Sequence, residues 1–75
     1  MKTEVLIFKT DLATPEQVKQ VSTVFEPLDT VMHWTVDLED VDRVLRLVCI
    51  NLKAESVQGL LEAAGISCEH MAYEL

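Results

Sequence analysis

Residues 4–10 read Glu-Val-Leu-Ile-Phe-Lys-Thr, apolar at nearly every position and rich in β-formers, as expected of a central strand. The period then changes. Thr14-Pro15-Glu16-Gln17 supplies an N-cap threonine, a proline for the first helical position and a glutamine three residues after the cap. Val18, Val21, Val24, Phe25 and Leu28 follow at helical spacing on one face, and Pro27 marks the end. From Thr30 to Leu38 the period is two. Met32, Trp34, Val36 and Leu38 are expected on one face, with Val31, His33, Thr35 and Asp37 on the other. A charged turn, residues 39–42, leads into a returning strand over residues 43–50. Val57, Leu60, Leu61 and Ala64 predict a second amphipathic helix, beginning near Lys53 or Ala54 and stopped by Gly65. Residues 66–75 close the chain as a last, shorter strand.

Strand, helix, strand, strand, helix, strand is a split βαβ unit, so the expected fold is an α+β ferredoxin-like sandwich. Right-handed crossovers place the first strand between the third and fourth, giving an antiparallel sheet of order 4-1-3-2 with both helices on one face. The whole chain, residues 1–75, is expected to form one domain. The loop after the first strand, the hairpin turn and the loop before the last strand then share one end. Cys49 and Cys68 fall on strands that are second neighbours, roughly 9–10 Å apart, too far for a disulfide within the chain.

Composition narrows the functions. With 75 residues and 49% apolar content, the chain can pack a core but has little stability to spare for a deep active-site cavity. Its net charge of −7 opposes binding to nucleic acid or to an anionic membrane surface. No apolar run is long enough to span a bilayer, and Met1-Lys2-Thr3-Glu4 lacks the pattern of a signal peptide. A cytoplasmic protein with free thiols is the expectation. Two glycines are too few for a phosphate-cradling loop, and no nucleophile-and-base set has compatible placement, so no enzyme is expected.

The stretch from Trp34 to Glu39, followed by Val44-Leu45-Arg46-Leu47, and Leu60-Leu61-Glu62-Ala63-Ala64-Gly65 before the final strand, together with the topology, resemble the heavy-metal-associated (HMA) domains of copper chaperones and metal-transporting ATPases. The resemblance covers nearly the whole chain. It implies a Met-x-Cys-x-x-Cys motif between first strand and first helix, where two thiolates at a helix N-terminus suit a soft metal. In register with the helix, Thr14 and Gln17 occupy the cysteine positions here and Leu12 that of the methionine. The resemblance therefore implies the fold and not the metal transport.

Other candidates are weaker. Cys68 lies near the vestigial loop, and Cys68-Glu69-His70 puts a thiol and an imidazole on one strand face, which offers only two ligands for copper or zinc. His33 is expected on the opposite edge. Asp37, Glu39, Asp40 and Asp42 gather acid at the hairpin turn, with Asp11 and Glu16 at the same end, but without the ligand order or glycine of a calcium loop. Val5, Ile7, Val44, Val48 and Ile50 are expected to point away from both helices, an apolar strip suited to a homodimer or a protein partner. The expected function is a non-catalytic binding or interaction module using that face. The alternatives are a metal-binding protein using Cys68 and His70, and a small-ligand regulatory domain, against which the absence of glycine after the first strand argues.

Overall fold

The computed structural model describes residues 3–71. Six elements follow in the expected order: β1 (Thr3–Thr10), α1 (Pro15–Phe25), β2 (Val31–Val36), β3 (Leu45–Ile50), α2 (Ala54–Ala63) and β4 (Cys68–Met71). The strands form one antiparallel sheet of order β2-β3-β1-β4, the ferredoxin-like arrangement. The last strand, expected over residues 66–75, begins at Cys68, and residues 72–75 lie outside the described residues.

The core forms where the helix stripes meet the inward residues of the two central strands. Leu6 and Phe8 from β1, Leu45, Leu47 and Cys49 from β3, Val21 and Phe25 from α1, and Val57 and Leu61 from α2 are all buried. Full burial of a side chain such as Phe8 or Leu47 contributes roughly 1.5–3 kcal/mol, so this layer supplies most of the driving force. Trp34 on β2 packs against it, its ring edge-on to Phe25 with centroids 5.7 Å apart.

Both helices stop for identifiable reasons. In α2 the N–H of Ile66 donates to the Leu61 carbonyl (2.9 Å) and that of Gly65 to Glu62 (3.0 Å), with Gly65 at φ +85°. This is a Schellman motif, and its apolar contact is supplied by buried Ile66 and Leu61. In α1, Pro27 directly follows the C-cap Glu26.

Two expectations fail, both on the sheet. A β-bulge between Val31 and His33 shifts the register of β2 against β3, with Val31 opposite Cys49 and His33 opposite Val48. The extra residue, Met32, is turned to solvent at 59% exposure, while Val31 packs on the core. The period-two assignment of these two residues is thus reversed, because a bulge inserts one residue out of step. Trp34, Val36 and Leu38 keep their inward places.

Val44 also departs from expectation. It precedes β3 and is only 7% exposed, so it is not part of an open strip. Its carbonyl accepts from Asp37 N–H (2.9 Å), Thr10 N–H donates to the Asp42 carbonyl (3.1 Å), and the Lys9 ammonium reaches the Asp42 carboxylate at 3.9 Å. These contacts tie the segment before β3 to the end of β2 on one side and to the end of β1 on the other. The outer face keeps Val5, at 40% exposure, with half-buried Ile7, Val48 and Ile50.

Candidate functional site

The loop between β1 and α1 sits at the end where the hairpin loop and the start of β4 converge, as expected. Asp11 N–H donates to the Ser67 carbonyl (3.2 Å), and Ser67 N–H returns to Asp11 Oδ1 (3.1 Å). On the other side, Thr10 Oγ1 donates to the Arg43 carbonyl (2.6 Å) and accepts from Leu12 N–H (3.2 Å). Arg43 Nη1 donates to the Leu12 carbonyl at 3.0 Å. The loop is therefore tied to both of its neighbours by directed hydrogen bonds.

In the loop and the first turn of α1, the three positions expected to match the metal motif do structural work. Leu12 is fully buried in the core cluster. Thr14 Oγ1 accepts from Gln17 N–H (3.3 Å), while Gln17 Oε1 accepts from Thr14 N–H (3.2 Å) and Ala13 N–H (2.7 Å). This capping box satisfies amide donors of the first helical turn that have no partner inside the helix. In a metal-carrying loop the same position would offer thiolate sulfur. Here it offers a hydroxyl and an amide, both already committed to backbone, and these residues do not fit a soft metal.

Cys68 begins β4 opposite Thr10, half-buried, with its Sγ 3.9 Å from the Gln58 carbonyl. Burial, together with the carboxylates of Glu62 and Asp11, pushes its thiol up to about 11. A thiol so placed is protonated at neutral pH, the opposite of a poised metal ligand or nucleophile. His70 shares its strand face, and its ring stands 5.4 Å from that of Phe8. No group of three metal-ligating side chains forms around this pair or elsewhere among the described residues. Cys49 is buried at the other end of the sheet, opposite Glu4, and burial and that carboxylate raise its thiol as well. Strand β1 lies between the two cysteines, and both are free.

The acidic turn is likewise a folding device. Asp37 Oδ1 accepts from the N–H groups of Glu39 (3.1 Å) and Asp40 (3.2 Å), and Asp40 Oδ1 from that of Asp42 (2.8 Å). Its carboxylates close the turn on its own backbone. Sequence reasoning did not single out Arg43 or Thr10 as partners of the metal-loop segment. Their contacts join residues 33 and 31 positions apart, and only the β1–β3 register brings them together.

No protein-family model and no curated protein matches the chain. Solved structures do match over nearly its full length. The apo form of the HMA domain of copper chaperone for superoxide dismutase superposes with a TM-score of 0.80 at 22% identity, covering 99% of this chain and 76% of that one. The copper(I)-loaded first domain of the human copper chaperone for SOD1 gives 0.75 at 26% identity, covering 93% and 94%. The Atx1–Cu(I)–Ccc2a complex gives 0.79 at 18% identity, covering 91% and 94%. The chain is thus similar in fold to the HMA domains of copper chaperones and copper transporters, and its two cysteines, at positions 49 and 68, do not make a CxxC motif.

Proposed function

We propose that the chain is a non-catalytic protein-binding module that keeps the HMA-type scaffold without its thiolate metal site. The observation that carries this reading is the Thr14–Gln17 capping box, whose side chains, read as standing at the ligand positions, are already bonded to backbone. A fold whose cargo loop has become part of the helix cap retains its surfaces, and one of its structural neighbours was solved as a complex of two proteins. The surface we assign to a partner, including a second copy of this chain, is the open sheet face. Cross-strand neighbours there are Val5 and Val48, flanked by Ile7, Ile50 and Met71, with Arg46 and Lys9 as cations on an otherwise acidic molecule. Net negative charge disfavours nucleic acid and anionic lipid as partners, and no helix among the described residues is long and apolar enough to cross a membrane. Two free thiols fit a reducing, cytoplasmic setting.

Two measurements test the reading. Copper(I) titration in reduced glutathione is expected to show no stoichiometric binding. Tight uptake that is lost in Cys68→Ala would overturn the metal-free assignment in favour of a site built on Cys68 and His70. Sedimentation of the wild type and Val48→Glu tests self-association. A dimer that the substitution converts to monomer supports a second copy as the occupant, whereas a monomeric wild type unaffected by the change removes it.

A further inference from the structure

A separate surface lies at the opposite edge of the helix layer, where the C-terminus of α1 meets β2. An open groove of about 540 Å³ runs there. Leu28, Val31, Met32 and Trp34 supply its accessible apolar lining over buried Phe25, Ser22 and His33 add polar groups, and Glu26 and Asp29 stand along it as exposed carboxylates. No Lys or Arg lines it. Strand β2 is an edge of the sheet, so one side of its backbone ladder has no partner strand among the described residues. The bulge turns Met32 out beside the groove, a flexible apolar side chain that adapts to varied contacts.

We propose that this groove binds an extended peptide segment of a partner protein that presents a large apolar residue between basic ones. The apolar side chain would rest against Leu28 and Trp34, cations two residues to either side of it would face Glu26 and Asp29, and the segment's backbone would run beside the free edge of β2. Charge complementarity selects the occupant, since an anionic segment would meet two carboxylates with no lysine or arginine to compensate. The site does not depend on the sheet face or on the metal-loop end, so it stands or falls separately from the reading above.

Trp34 is the only tryptophan of the chain, so its fluorescence reports the groove directly. The probe is a tryptophan-free synthetic peptide of alternating Val and Thr with a central Arg-Thr-Phe-Thr-Lys, which puts the cations on the face of the Phe, compared with the same peptide carrying Glu-Thr-Phe-Thr-Glu. The expected result is a saturable change in Trp34 emission below about 1 mM for the basic peptide only. The double variant Glu26→Lys/Asp29→Lys is expected to weaken it at least about fivefold and to flatten its salt dependence. Glu39→Lys/Glu55→Lys makes the same change in net charge elsewhere and is expected to weaken binding less than twofold. Absence of saturable binding, equal binding of the acidic peptide, or equal losses in the two double variants would overturn the proposal. Loss of binding in Val48→Glu but not in the Glu26/Asp29 variant would move the peptide to the sheet face and also overturn it.

Discussion

Thr14 and Gln17 satisfy each other's backbone: the hydroxyl of one accepts from the amide of the other at 3.3 Å, and the carboxamide returns to the first amide at 3.2 Å. Removing the cap by Thr14→Ala is expected to cost about 1 kcal/mol in urea denaturation, the usual worth of an N-cap side chain. The pair Thr14→Cys/Gln17→Cys restores the spacing of two thiolates at a helix N-terminus. It is expected to take up one copper(I) per chain at some loss of stability. Failure to bind copper would mean that more than these two side chains closes the loop.

Arg43 holds the Leu12 carbonyl while its own backbone sits at φ +47°, a left-handed conformation that glycine adopts without cost. Arg43→Ala loses the hydrogen bond and keeps the backbone strain, an expected cost of about 1–2 kcal/mol. Arg43→Gly loses the same bond but relieves the strain. Chemical denaturation should therefore rank glycine above alanine at this position, and the reverse order would show that the left-handed backbone carries little strain.

The bulge in β2 makes neighbouring apolar residues unequal. Met32→Asp is expected to change stability by less than about 0.5 kcal/mol, as for an ordinary surface site. Val31→Asp places a carboxylate against the core and is expected to cost about 2 kcal/mol or more. Equal effects in thermal unfolding would argue for a regular strand.

Alkaline pH should weaken the fold. Cys68 titrates at about 11 in the folded chain, above its ordinary value of 9.0, so the folded state holds that proton more tightly than the unfolded one. The stability this contributes is complete below pH 9 and is lost as pH rises from 9 to 11. Denaturation midpoints should fall across that window, and Cys68→Ala should flatten the fall. Cys49, also raised, leaves a remainder.

The elements legible from sequence were those written in short-range chemistry. Thr14-Pro15-Glu16-Gln17 states a helix start within four residues, and Gly65 states a helix end in one. Crossover handedness did the rest for strand order. What stayed hidden depends on neighbours distant in the chain. Val31 and Met32 are both apolar, so no periodicity shows which one the bulge ejects. Val44 looks like any outward strand residue, and its burial shows only once its segment is tied to Asp37 and, through Asp42, to Lys9 and Thr10. The groove beside β2 draws on α1, the turn after it and the strand, which no linear motif joins.

Leu12 has one further consequence. The midpoint of the loop after β1 is a core residue, held also through Arg43 and Thr10. A loop anchored in this way is expected to have no separate opening equilibrium, its Leu12 amide exchanging with solvent only when the whole domain unfolds. Substitutions at Leu12 would accordingly be felt in how much folded protein a cell maintains rather than in how tightly any partner is held.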